Sequence, residues 1–182
     1  MALATEHTFD EEPLPEAVVL DCDFVVSVLH EGEEFHDECY EFALRLYEED
    51  VPIVYSNLLR MEFWQGWRSA ANKRGLPSEL LAKPMLLSDP IAERERLFAL
   101  GDSYLQDFLR SFRRFEVRIS TRLLDRALRL MARYNLDSQD ACVAACAFHS
   151  DVRDVVSLDK HFHRVDGIDL WNNHIPVRRA AK

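Results

Sequence analysis

Long apolar runs are missing from this 182-residue sequence. A membrane helix needs roughly 20 consecutive apolar residues, and the best stretch, residues 17–29, is interrupted by Asp21 and Asp23. A basic leader is missing as well: the first 16 residues hold Glu6, Asp10, Glu11, Glu12 and Glu16 but no Lys or Arg, which argues against a secretory signal. Five Gly and seven Pro are too few for a collagen-like or low-complexity chain. The four Cys (22, 39, 142 and 146) sit in apolar segments and form no CxxC pair, so they read as reduced core thiols of a cytoplasmic protein, not as a zinc site or a disulfide framework.

What is present suffices for one folded domain. Apolar residues make up 48% of the chain, enough to bury a core without disulfides. Charge is uneven. Residues 1–50 carry 16 acids and a single basic residue, Arg45, whereas residues 51–182 carry 16 acids and 21 bases, so a net charge of −10 divides into −15 and +5. Arg supplies 18 of the 22 bases, a bias compatible with phosphate ligands.

Residues 1–16 read as a disordered acidic tail and 176–182 as a basic tail, leaving a single domain over 17–175. Within it, apolar runs at 17–20, 52–55, 115–119, 154–158 and 168–171 predict strands. Helical spacing predicts a short helix at 24–29, then helices over 33–50, from Ser56 or Asn57 to about 71, over 91–113, from Ser120 or Thr121 to 134, and from Asp137 or Ser138 to 149. Residues 72–90, with Gly75, Pro77, Pro84 and Pro90, read as loop with one short helix, and 72–115 as an elaboration. Buried-type strands alternating with helices predict a three-layer α/β/α sandwich around a mainly parallel sheet.

In such a sheet, ligands bind at the carboxyl ends of the strands. Asp21 ends the first strand of the domain and Asp159 follows the Val155–Leu158 run; Glu62 lies in the helix after the second strand, and Asp140 opens an Ala-rich helix. Each alone reads as a turn, cap or solvated acid. Together at one sheet edge they would resist ionisation, and a hard divalent cation, Mg²⁺ or Mn²⁺, relieves that repulsion. Ser157, just before this last acid, reads as a strand residue or as a contact to phosphate or water.

The segments VVLDCDFVVSVL, YSNLLRMEFWQG, LDSQDACVAACA and VVSLDKHFHRVDGIDLW resemble, in order, the four acidic motifs of the PIN domain family. The resemblance spans about residues 17–171. It implies a parallel α/β/α sandwich, metal-dependent RNA hydrolysis, and Asp21, Glu62, Asp140 and Asp159 as metal-binding acids. Small bacterial members are VapC-like toxins neutralised by an antitoxin, so the expected partners are RNA, an antitoxin protein and a second copy of the chain. Asp23 departs from the pattern, standing where Asn or Ser is common, and the stretch between the second and third acids is long for a minimal toxin.

Arg122, Arg126, Arg129 and Arg133 fall on one helical stripe at about 100° per residue, with Leu123, Leu124, Ala127, Leu128 and Met131 assigned to the other side. The stripe reads either as a solvated face pairing with the acidic 33–50 helix of a neighbour or as an RNA-backbone track. His161 and His163 read as a surface turn or as metal ligands; Trp64, Trp67 and Trp171 as packing or as base-stacking rings. Two other functions fit parts of the sequence. Asp21-Cys22-Asp23 with Ser56 resembles a haloacid-dehalogenase-type phosphatase with Asp21 as nucleophile, although no Lys precedes the last acidic motif. A non-catalytic RNA- or protein-binding module is the other.

Overall fold

The computed structural model describes residues 3–75 and 90–173. The strands are β1 (Thr5–His7), β2 (Val18–Leu20), β3 (Ile53–Ser56), β4 (Arg114–Val117), β5 (Asp154–Val156) and β6 (Asp169–Trp171). They form one sheet in the order β1-β6-β5-β2-β3-β4, parallel at every pairing. The helices are α1 (Cys22–Leu29), α2 (His36–Glu48), α3 (Leu59–Arg74), α4 (Pro90–Ser111), α5 (Thr121–Tyr134) and α6 (Ser138–Ser150), with a 3₁₀ turn at Lys160–Arg164.

Alternation along the strands sends successive side chains to opposite faces. Val18, Leu20, Ile53, Tyr55, Val156 and Trp171 pack under α1–α4, with Phe24, Phe42, Phe63 and Trp67. Val19, Val54, Val155 and Leu170 pack under α5 and α6. The expected three-layer sandwich is therefore the observed one. Two small-residue contacts set its spacing. A Cβ on Gly66 would lie 2.8 Å from Val26 Cγ2, which keeps α3 close on α1, and one on Gly101 would lie 2.6 Å from Trp67 Nε1. Trp67 Nε1 also donates to Leu97 O at 3.2 Å, and Arg60 holds Asp102 through two bonds of 2.6 and 2.8 Å. The elaborated segment is thus docked on α3. The expected loop is helical up to Arg74 with Gly75 as its C-cap, Pro90 opens α4, and residues 76–89, like the basic tail, lie outside the described residues.

The expected disordered tail is corrected by the structure. Residues 5–7 form an edge strand, with Thr5, Glu6 and His7 in register with Asp169, Leu170 and Trp171. Phe9 is 3% exposed and stacks on Phe42, with ring centroids 4.4 Å apart. Arg45 donates to Phe9 O, Glu11 O and the Glu12 carboxylate. The one cation of the acidic half therefore clamps the acidic segment, and one buried aromatic offsets its polarity. Phe9→Ala should lower stability by about 3 kcal/mol in urea unfolding; a tail without tertiary contacts would leave the midpoint unchanged.

Candidate metal centre

Every strand of a parallel sheet ends on the same side, and the acids gather there. Asp21 follows β2 directly. Its N–H donates to Val156 O at 3.0 Å, extending the ladder, while its carboxylate accepts from Cys22 N at 2.7 Å and caps α1. Asp23, in the first turn of α1, accepts from Phe24 N at 2.6 Å and Leu158 N at 3.2 Å. Ser157 Oγ donates to Asp21 Oδ2 at 2.6 Å, stands 3.3 Å from both Asp23 carboxylate oxygens, and accepts from Asp159 N at 2.9 Å. Asp159 in turn caps the 3₁₀ turn, accepting from His161 N at 2.7 Å.

Glu62 enters from the first turn of α3 and Asp140 from the first turn of α6, both buried. Asp137 caps α6, accepting from Gln139 N and Asp140 N at 2.8 and 2.9 Å. This leaves the Asp140 side chain free of capping duty, and its Oδ2 is buried without a hydrogen-bond partner. The four acids named from the sequence line one cleft of about 500 Å³ together with Asp23 and Asp137.

Desolvation and like charge act in the same direction here. Burial, then the charges of Asp21 and Asp137, pushes Glu62 up to about 7. Burial, then Asp21, Asp137, Asp159 and Glu62, pushes Asp140 up to about 8. Burial also raises Asp21, against the hydrogen bonds from Ser157 and Cys22, and raises Asp23 well above the carboxylate range with help from Asp21. Among the described residues no Lys or Arg is paired with any of the four acids. A donor set dominated by carboxylate oxygen, with one buried oxygen unpartnered and no acid ion-paired to Lys or Arg among the described residues, fits a hard divalent cation.

Other sequence candidates fall elsewhere. Arg122, Arg126, Arg129 and Arg133 are exposed on α5, and none lines the acid cleft. Arg122 and Arg126 border a separate depression beside His149, nine residues along α6 from Asp140 and so about 13 Å away. Leu124 and Leu128 lie away from the Arg stripe, as expected, yet are 46% and 54% exposed, because at 100° steps they fall roughly 80–120° past the buried line of Leu123, Ala127 and Tyr134. Trp67 and Trp171 are core residues, and Trp64 packs edge-on against Phe98. His163 turns its Nδ1 to Lys160 O, whereas His161 Nδ1 lies 3.3 Å from Asp159 Oδ1 and 3.7 Å from Asp140 Oδ2. Ser56 accepts from Leu58 N and does not line the cleft, which removes the second residue of the phosphatase alternative. The sequence reading missed Lys73 and Arg74, which line the cleft; the run Glu62, Gln65, Ser69, Lys73 on one helix face was the available signal.

A family model described as PIN domain matches residues 18–168. No curated protein matches the chain. Among solved structures, FitAcB from Neisseria gonorrhoeae superposes with a TM-score of 0.57 at 16% identity, over 87% of this chain and 99% of that one. VapC20 from Mycobacterium tuberculosis, described as a sarcin-ricin loop cleaving toxin, gives 0.54 at 14% identity over 80% and 92%. A toxin-antitoxin complex from Klebsiella pneumoniae gives 0.50 at 17% over 84% and 95%. At these identities the likeness is one of fold.

Raised carboxyl values make the metal-free protein sensitive to alkali. Glu62 and Asp140 move from ordinary values of 4.5 and 3.8 to about 7 and about 8 on folding. Over that window the native state holds more protons than the unfolded state, so stability falls as pH rises. In chelator, Tm should be several degrees lower at about pH 8.5 than at about pH 6, and Asp140→Asn should flatten the difference. A profile that is level in wild type would contradict the crowded-acid reading.

Proposed function

The chain belongs to the PIN domain family, and from that premise we propose that the acid cleft is the active site of a metal-dependent endoribonuclease hydrolysing RNA phosphodiester bonds. Asp21, Glu62, Asp140 and Asp159 hold Mg²⁺ or Mn²⁺. The observation that carries this reading is the buried, unpartnered Asp140 Oδ2 among acids that form no ion pair with Lys or Arg among the described residues. A divalent cation held there lowers the pKa of the attacking water and offsets charge building on the scissile phosphate.

The protein's own groups divide the remaining work. Asp21 and Asp23 are engaged by Ser157 and by backbone N–H groups, so they anchor the site. Glu62 makes no side-chain hydrogen bond among the described residues, and its carboxyl sits at about 7; it is the acid best placed to take a proton from water near neutral pH. Gln65, Ser69 and Lys73 continue the face of α3 that begins at Glu62. Lys73 stands about 16 Å along the axis from Glu62, where it can hold a backbone phosphate a few nucleotides from the scissile one. The exposed Arg stripe of α5 extends backbone contact beyond the cleft. VapC20 carries its toxin description and the Klebsiella structure its antitoxin; we carry both roles to this chain, as a toxin with a cognate antitoxin.

Asp140→Asn should slow Mg²⁺- or Mn²⁺-dependent RNA cleavage roughly a thousandfold, equivalent to about 4 kcal/mol of transition-state stabilisation. Its circular dichroism should match wild type, because Asp137 supplies the cap. Full cleavage by this variant would remove the catalytic assignment. Lys73→Gln should raise KM with little change in kcat. Arg126→Gln with Arg129→Gln should reduce the slope of log K against log salt by about 0.7 per lost phosphate contact; an unchanged slope would leave the α5 stripe outside the RNA footprint.

A further inference from the structure

Asp159 accepts from the N–H of His161, and that 2.7 Å bond closes the Lys160–Arg164 turn. The turn brings the His161 ring back over the acid that caps it. Nδ1 stands 3.3 Å from Asp159 Oδ1 and 3.7 Å from Asp140 Oδ2. One nitrogen and one oxygen from each acid lie within 4.8 Å of one another.

At Asp140 the spacing is too long for a hydrogen bond, and it suits a shared ligand sphere. N–H···O bonds centre near 2.9–3.0 Å, so an imidazole placed to satisfy Asp140 would sit closer than 3.7 Å. It does not satisfy it: Asp140 Oδ2 is buried and unpartnered. Atoms bound to one ion at about 2.1 Å lie from about 3 Å apart at right angles to about 4.2 Å apart across the ion, a range that includes both distances. The ring is also a nitrogen donor beside carboxylates, and it belongs to a different ligand class. Imidazole suits Fe, Ni, Cu and Zn, and Mn²⁺, though content with oxygen, accepts it more readily than Mg²⁺ does.

We infer that His161 is a nitrogen ligand of the cation that Asp140 and Asp159 hold, and that it biases the centre toward divalent transition ions over Mg²⁺. This rests on the metal-holding role proposed for the cleft. Asp140 and Asp159 supply oxygen from two different elements, α6 and the loop after β5, and the 3₁₀ turn supplies the nitrogen. His163, two residues on, faces Lys160 O and takes no part, which makes it an internal control.

The test uses the full chain, with Mn²⁺ as probe. Pulsed electron paramagnetic resonance of the Mn²⁺-loaded protein should show nitrogen-14 modulation from a coordinated imidazole. The modulation should vanish in His161→Asn and persist in His163→Asn. Calorimetric titration should show His161→Asn weakening Mn²⁺ binding about tenfold and Mg²⁺ binding much less, so that the preference narrows. Metal-free melting of His161→Asn should equal wild type, separating ligand loss from misfolding. Mn²⁺ bound without nitrogen modulation overturns the inference and leaves the acid centre standing. Mn²⁺ binding that Asp140→Asn does not weaken overturns the inference and the proposed function together.

Discussion

Ser157 Oγ sits fully buried where two adjacent parallel strands end, and the site depends on it. The β2–β5 ladder pairs Leu20 with Val156, so the next residues, Asp21 and Ser157, must meet. The hydroxyl then donates to Asp21, stands against Asp23 and accepts from the Asp159 backbone. One uncharged group fixes three mutually repelling acids at set positions. A cation in its place would compensate their charge internally and leave no demand for a metal. Strand register is therefore the first cause, and the chemistry of the cleft follows from it.

The arrangement is costly and the rest of the fold absorbs the cost. Buried carboxylates without partners destabilise the native state. Against this stand two apolar layers, with Phe24, Phe42, Phe63 and Trp67 on one face of the sheet and the Ala-rich side of α6 on the other. The small side chains Ala141, Ala144 and Ala145 let α6 lie close on the strands, which carries Asp140 into the desolvated zone. A proton and a divalent cation are alternative answers to the same repulsion. They compete, so cation binding must release protons from Glu62 and Asp140 near neutral pH.

The strands near the site were legible because their burial is two-sided: Val18–Leu20 and Val155–Val156 read as continuous apolar runs, each with an acid close behind. Asp140 was legible from its place at the start of a small-residue helix. The tail was misread because composition within residues 1–16 is polar, and the residues that hold it, Arg45 and Phe42, lie 33 or more positions from the groups they contact. On α5 the wheel separated Leu124 and Leu128 from the Arg stripe but could not tell which of the residues opposite it are covered: Leu123 and Ala127 are, Leu124 and Leu128 are not. H-x-H spacing left His161 between a surface turn and a metal ligand, since nothing in it reveals that the preceding Asp caps the turn and sets the ring beside Asp140. Lys73 was hidden by distance, as 11 residues along α3 separate it from the acid whose face it shares.

A polyanion must still approach a chain of formal charge −10. The formal count overstates the field in the cleft. Glu62 and Asp140 hold their protons up to about 7 and about 8, and Asp23 is raised well above the carboxylate range. Near neutral pH the metal-free cleft is thus far less negative than its residue list, and a bound divalent cation would lower the charge further. Glu33 and Glu34 border the cleft as well, while four further acids, Asp37, Glu38, Glu41 and Glu48, lie on α2, a helix that contributes no residue to it. Lys73 and Arg74 stand at the end of α3, and neither makes a hydrogen bond or ion pair among the described residues. The local field along α3 therefore runs from screened acids to exposed cations, and this gradient, not the net charge, decides whether a phosphate backbone can lie there.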